Sequence, residues 1–160
     1  MRKMSARTLR LGMNLWPPFL FTGIRVREIA DDWSRARVVL RRHWYNQNYV
    51  GTHFGGSLFA MTDPFWMLLV TNRPGSDYIV WDKVVEIEFV APGRDDVFAE
   101  FVLDERALDE IRAATNAGEK DLRWFETETK TAAGEVIARV RKQLYVRRTQ
   151  RSAMAASSGA

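Results

Sequence analysis

The chain contains no cysteine and only two histidines among its 160 residues. The lack of cysteine excludes a disulfide scaffold, a thiol nucleophile and a thiolate metal site, but it does not identify a cellular compartment. His43 and His53 have no carboxylate at ligand spacing, so the sequence predicts no metal site. No apolar run is long enough to cross a bilayer, because Pro17 and Pro18 interrupt the segment 11–21. A clean apolar segment and a small-residue cleavage site are also missing from the N-terminus, so we expect a cytoplasmic protein.

The chain has no strong excess of one charge, since 24 Lys and Arg face 20 Asp and Glu, for a net charge of +4. Much of this excess lies at the two ends of the chain, which is typical of solvated tails. No nucleic-acid-binding motif accompanies it, so we expect no nucleic-acid partner, although the charge also favours a polyphosphate ligand. The length is that of one domain with a single core.

The hydrophobic pattern predicts an α+β domain built mainly from strands. An N-terminal arm, residues 1–23, contains a short helix at 8–14, and the main domain follows at 24–147. Alternating apolar residues predict an early hairpin and a later run of antiparallel strands. The predicted strands cover residues 24–29, 35–40, 78–90, 97–103, 124–131 and 136–146. A surface helix is expected at 104–117 with Asp104 as its N-cap, and the basic, Ser/Ala-rich tail at 148–160 is expected to be disordered.

One long helix, roughly residues 57–70, has no polar face. A helix that is apolar all round is buried all round, and the chain has no second long apolar helix, so we expect the sheet to wrap around this one. Pro64 removes one backbone hydrogen bond and is expected to kink the helix. Asp63 is the only charged residue in this segment. An ionised carboxylate is costly in an apolar interior unless it is paired or open to a cleft, so Asp63 is a candidate reaction centre.

A Gly-Gly pair precedes this helix within a spaced motif, which consists of Asn48, Phe54-Gly55-Gly56, Phe59 and Asp63. The motif, the helix and the strand order resemble the hotdog-fold thioesterase superfamily over roughly residues 20–147. The motif is most similar to that of the phenylacetyl-CoA thioesterase-like branch, which runs Asn, five residues, His-Gly-Gly, two residues, Phe, two residues, Ala-Asp. Its Phe-Gly-Gly…Asp-Pro variant also resembles a bacterial branch described as thioesterase-like and of unknown function. The resemblance implies a hotdog fold, in which a curved antiparallel sheet wraps around one long central helix.

The resemblance also implies hydrolysis of an acyl thioester, such as an acyl-CoA, to a carboxylic acid and coenzyme A, with no metal or redox cofactor. In that chemistry the amide of Gly55, at the helix N-terminus, would bind the developing oxyanion. Asp63 would act as nucleophile or as base for the attacking water, and Asn48 would orient the carbonyl or the water. The residues that it assigns to substrate binding are Gly56, His53, Phe54 and Met67.

The spacing of Gly55 and Asp63 indicates a site shared between two chains. Eight positions along one helix separate these residues by about 12 Å. One helix cannot easily place both on the same carbonyl, whereas two antiparallel helices across a twofold axis can. We therefore expect a homodimer, or a dimer of dimers, and no membrane partner.

Alternatives stay open for several of these residues. Asn48 also suits an Asx turn, which is common for Asn in loops, and Asp63 also suits pairing with a lysine. Lys83 and Lys142 lie on the predicted inward faces of their strands. We expect both lysines to reach water at strand ends, and the alternative is that they pair with Asp63 or contact the phosphates of coenzyme A.

Three departures from the family pattern each weaken the expectation of thioester hydrolysis. Phe54 replaces the first residue of His-Gly-Gly, Met67 stands where some members carry a hydroxyl, and Pro64 distorts the helix. Pro64 and Met67 favour a second function, a non-catalytic hotdog module that binds acyl-CoA or an acyl chain. Asn48 and Asp63 favour the enzyme.

Overall fold

The computed structural model describes residues 4–75 and 77–149, which form one six-stranded antiparallel sheet packed against helices. The strand order β1-β2-β4-β5-β6-β3 places β1 and β3 at the two edges. All six predicted strands are confirmed, although β5 begins at Lys120 rather than at residue 124. The strands are β1 (Ile24–Ile29), β2 (Arg35–Leu40), β3 (Tyr78–Phe89), β4 (Val97–Val102), β5 (Lys120–Thr131) and β6 (Val136–Arg148).

Besides the six strands, the described residues form five α-helices and one short 3₁₀ turn, Trp44–Asn46. The helix predicted in the N-terminal arm is confirmed as α1, and the Asn14 side chain fixes the arm to β1 by hydrogen bonds to both main-chain groups of Val26. The predicted surface helix is confirmed as α5, and Asp104 caps it by accepting a hydrogen bond from the Ala107 amide at 2.8 Å. The helices are α1 (Ala6–Leu15), α2 (Pro17–Leu20), α3 (Gly55–Ala60), α4 (Phe65–Asn72) and α5 (Glu105–Ala114).

The central helix is divided at Pro64. Residues 61–64 form turns between α3 and α4. Pro64 has no N–H to donate, and the Asp63 amide donates to the Ala60 oxygen at a long 3.4 Å. Regular helical bonding resumes when the Leu68 amide donates to the Pro64 oxygen at 3.0 Å. The expected kink is therefore a complete break, and Asp63 lies in it.

The core lies between α4 and the inward face of the sheet. Phe65 and Trp66 are buried there, and the Trp66 ring stacks on Phe125 at 4.6 Å between centroids. Ala60 and Met67 stay only half-buried. In the single chain the central helix is thus not covered on all sides, contrary to expectation, and Ala60 and Met67 mark a half-buried stripe along it.

A bulge in β3 changes which residues face inward. Asp82 pairs with Leu144 and Val84 pairs with Gln143, so Lys83 is the extra residue between them. Lys83 is exposed and reaches water, as expected, but it does so in the bulge and not at a strand end. The bulge leaves Asp82 on the inward face of the strand.

None of the helices among the described residues is long and apolar enough to cross a bilayer. Of the predicted tail, Arg148 ends β6, and the Thr149 amide donates to the Asp77 oxygen at 2.7 Å. Residues 150–160 lie outside the described residues.

Candidate functional site

Asn48 closes the loop that leads from β2 to α3. Its Oδ1 accepts hydrogen bonds from the amides of Val50 and Thr52, each at 3.1 Å. Its Nδ2 donates to Thr52 Oγ1 at 2.8 Å and to the His53 carbonyl oxygen at 3.3 Å. The Asx-type alternative is thus present, and it uses both lone pairs and both N–H groups of the amide. A contact between Asn48 and a substrate would have to replace one of these bonds.

His53 joins the same loop to the segment before β4. It is 2% exposed, its amide donates to the Gly93 oxygen at 2.9 Å, and its Nε2 donates to the Asp95 carbonyl oxygen at 2.7 Å. Nδ1 has no hydrogen-bond partner among the described residues. Burial lowers the pKa of His53 below 6.5, although the hydrogen bond to Asp95 and the nearby Asp96 oppose that shift. The ring is therefore neutral at physiological pH, with its proton on Nε2 and its lone pair on Nδ1.

The Gly55-Gly56 pair begins α3 beneath two aromatic rings. A Cβ on Gly55 would lie 2.9 Å from Phe89 Cζ, and one on Gly56 would lie 2.3 Å from Phe54 Cε1. The glycines therefore admit these two rings, both more than half exposed, in the space that was expected to receive a substrate. The amides of Gly55 and Gly56 have no acceptor within the described chain, and Phe54 supplies no side-chain cap. These amides are free donors at the start of a helix.

These elements form a groove of about 410 Å³. Three of the predicted site residues, Asn48, His53 and Gly55, line it together. Phe54 and Gly56 are their direct neighbours in the chain. The rest of the wall is mostly apolar and consists of Thr52, Leu58 and residues 89–93. Phe89 was missed by the sequence argument, since nothing in an alternating strand distinguishes the ring that covers a distant glycine.

Asp63 lies outside this groove and pairs with a buried lysine. Lys142 is 1% exposed, and its Nζ lies 2.8 Å from Asp63 Oδ1 and 2.9 Å from Asp82 Oδ2. It also donates to the main-chain oxygen of Asp63. The expectation that Lys142 reaches water is wrong, and the alternative of pairing with Asp63 is confirmed. The Asp63 side chain is 46% exposed, so the carboxylate is not buried in the single chain, contrary to expectation.

The sheet explains how these charges meet. Lys142 lies on the same face of β6 as Val140 and Leu144, which are buried, so its side chain points inward. Asp82 faces it because of the bulge at Lys83, and Asp82 Oδ1 is buried without a partner among the described residues. Asp82 was also missed by the sequence argument. The adjacent apolar pair Val84-Val85, which interrupts the alternation, is the signal that marks the bulge.

Met67 lies on α4 and packs against the core, away from the groove. A larger cavity of about 1200 Å³ opens where β4 and β5 diverge, but it contains none of the predicted site residues. Its rim carries charges that pair with each other, such as Arg139 with Glu128. Within the described part of the chain, no group of three acidic or histidine side chains is placed to hold a metal ion.

Comparison with known proteins identifies a protein family whose model matches most of this chain. Residues 5–146 match the model of DUF4442, described as a domain of unknown function. A search of the curated proteins found no match.

Solved structures share the fold. A protein of unknown function from Pseudomonas aeruginosa, described as a probable thioesterase, has a TM-score of 0.77 at 17% identity, covering 91% of this chain and 97% of that one. A thioesterase from Haemophilus influenzae has a TM-score of 0.65 at 12% identity, covering 93% and 94%. A mutant thioesterase from P. aeruginosa has a TM-score of 0.64 at 12% identity, covering 92% and 97%. At these identities the likeness shows the fold alone, and the expected hotdog fold is confirmed.

Proposed function

Since the chain belongs to the DUF4442 family and has the hotdog fold of solved thioesterases, we propose that it hydrolyses an acyl thioester, with coenzyme A as the leaving group. The observation that carries this proposal is the Asp63 carboxylate, which Lys142 holds at the break in the central helix while 46% of the side chain stays exposed. A carboxylate that is fixed in place and still open to solvent suits a nucleophile or a general base.

The proposed reaction needs no metal. Asp63 takes a proton from a water molecule, and the water oxygen attacks the thioester carbonyl carbon. In the alternative sequence the carboxylate itself attacks, and water then hydrolyses the resulting anhydride. The carbonyl oxygen becomes an oxyanion that accepts a hydrogen bond from the free Gly55 amide. Because α3 has only six residues, this donor contributes more than a helix dipole would. The carbon–sulfur bond then breaks, and coenzyme A leaves as the thiolate.

We propose that two copies of the chain complete each site, with the groove of one copy facing Asp63 of the other. Asp63 does not line the groove that holds Gly55 in its own chain. The half-buried stripe with Ala60 and Met67 lies on the same helix pair as Asp63. At the sheet edge, β3 offers twelve residues for pairing with a second copy. These features support a homodimer, and a dimer of dimers remains compatible with them.

The test is thiol release from short, long and aromatic acyl-CoAs, with sedimentation of the same samples. The wild type is expected to sediment as a dimer or larger and to release thiol. Asp63→Asn is expected to lower kcat by about 100-fold or more, because a positioned base contributes that much. The control is Asp109→Asn, which removes an exposed ion-paired carboxylate on α5 and is expected to keep full activity. An active monomer would contradict the shared site, and full activity of Asp63→Asn would contradict the role of Asp63.

A second candidate is a non-catalytic module that binds acyl-CoA. One observation favours it, which is that the Asn48 amide is used up inside its own turn. This candidate predicts no thiol release from any acyl-CoA in that assay and, in a separate thermal unfolding measurement, a higher melting temperature in the presence of coenzyme A. That result would contradict the proposed thioester hydrolysis and support the acyl-CoA-binding module.

A further inference from the structure

Lys142 satisfies a backbone group that the break in the central helix leaves open. In a continuous helix the main-chain oxygen of Asp63 would accept a hydrogen bond from the Met67 amide. Among the described residues no main-chain amide bonds to this oxygen, and Lys142 Nζ donates to it instead. The lysine therefore binds Asp63 through both its main chain and its side chain.

The ammonium group is fully used. A lysine has three N–H donors, and Lys142 Nζ has three acceptors: the main-chain oxygen of Asp63, Asp63 Oδ1 at 2.8 Å and Asp82 Oδ2 at 2.9 Å. Two of the three bonds fix Asp63, and the third ties the lysine to β3. Asp63 Oδ2 has no hydrogen bond among the described residues, so one oxygen of the carboxylate is held and the other is open.

We propose that Lys142 and Asp82 are positioning residues that set the orientation of the Asp63 carboxylate and leave Oδ2 to the reaction. This inference rests on the proposed role of Asp63. Asp82 lies on β3, so its hydrogen bond to Lys142 ties the ammonium to the sheet as well as to the break in the central helix.

Stability alone is a poor reason for this lysine. A charge in the apolar interior loses its hydration, and its ion pairs only offset that loss. Apolar side chains at positions 63, 82 and 142 together would leave no charge to desolvate. The reason for the lysine is therefore the orientation of a residue that it binds. Of its two carboxylate partners, Asp63 is the more exposed, at 46% of its side chain against 30% for Asp82.

The kinetic test uses Asp82→Asn, which keeps the shape of the side chain, and Lys142→Arg, which keeps the charge. Arginine cannot converge on three oxygens as an ammonium does, because its donors are fixed in a planar fork. We expect each variant to lower kcat by about 10- to 100-fold, since small misplacement of a reacting group costs that much. KM should stay within about twofold, because substrate binding is unchanged. The double variant should be no slower than the slower single variant, since both act through Asp63.

The matched control is Lys130→Met, which removes an exposed lysine 2.7 Å from a carboxylate, Glu128, on the outer face of β5. It should leave kcat unchanged. A purely structural role predicts lower melting temperatures with kcat retained per folded protein, or effects that multiply in the double variant. Either result would overturn the positioning role.

A measurement without turnover separates this inference from the proposed function. The ammonium of Lys142 should give a slowly exchanging ¹H–¹⁵N signal near neutral pH that is absent from Lys142→Arg. The signal should shift or broaden in both Asp82→Asn and Asp63→Asn. If neither substitution affects it, the bridge is absent and the inference is wrong. If the bridge is present but no acyl-CoA is cleaved by the wild type, the proposed function fails, and the catalytic use of the bridge fails with it.

Discussion

From the turn that Asn48 builds, we predict that this residue stabilises the loop and does not contact the substrate. Asn48→Ala removes all four hydrogen bonds of the side chain. The Thr52 amide, in a residue that is 7% exposed, then has no acceptor at its former bond distance of 3.1 Å. The Val50 amide is in an exposed residue, so water replaces its bond at little cost.

The magnitude follows from these environments. A buried amide left without a partner costs about 1–3 kcal/mol. The bond to Thr52 Oγ1 adds about 1 kcal/mol, and the long bond to the His53 oxygen adds little. We therefore expect Asn48→Ala to lower the free energy of unfolding by about 2–4 kcal/mol. Asn48→Asp keeps the Oδ1 acceptor and should restore most of this loss, because the Thr52 hydroxyl can donate to the carboxylate.

The assay is urea unfolding of wild type, Asn48→Ala and Asn48→Asp at one protein concentration, since assembly changes apparent stability. Asn116→Ala, at an exposed asparagine just after α5, is the control and should stay within about 0.5 kcal/mol of the wild type. If Asn48→Ala is as stable as this control but lacks activity, the turn is not the role of Asn48, and the reasoning is refuted in favour of substrate contact.

Two further predictions concern the wall of the groove. Because burial lowers the pKa of His53, its contribution to stability is complete above pH 6.5 and falls as the pH drops through the lower pKa of the folded state. His53→Gln should lose this part of the pH dependence in urea unfolding between about pH 8 and pH 5, and equal slopes in both proteins would contradict it. Gly93→Ala should be destabilising by about 1–3 kcal/mol, since its Cβ would lie 3.0 Å from His53 Cδ2 and from Ile137 Cγ2. Gly12→Ala, in α1 with nothing within 4 Å of the new Cβ, should be stabilising by about 0.5–1 kcal/mol, and thermal unfolding that ranks the two the other way would count against the packing argument.

The regular part of this fold was predictable from residue periodicity, and the site was predictable only in part. Alternation along β6 placed Lys142 on the inward face, but only the structure shows that Asp63 and Asp82 accept its hydrogen bonds there. The bulge at Lys83 shifts the phase of β3, and the interrupted alternation at Val84-Val85 marks an irregularity without showing that it turns Asp82 toward Lys142. Asn48 was predictable as a turn residue because its bonds are local, with partners two to five positions along the chain. The pairing of Asp63 with Lys142 spans 79 positions and depends on the whole sheet.

Three irregular features of the chain explain one another at Asp63. The central helix breaks at Pro64, and among the described residues no main-chain amide donates to the oxygen of Asp63. The bulge at Lys83 turns Asp82 inward. Each change supplies Lys142 with an acceptor in addition to Asp63 Oδ1. A proline alone would leave an unsatisfied carbonyl, and a buried lysine alone would be strongly destabilising. Since each feature is costly without the others, the cluster is best understood as one unit whose product is a carboxylate with one oxygen fixed and the other open.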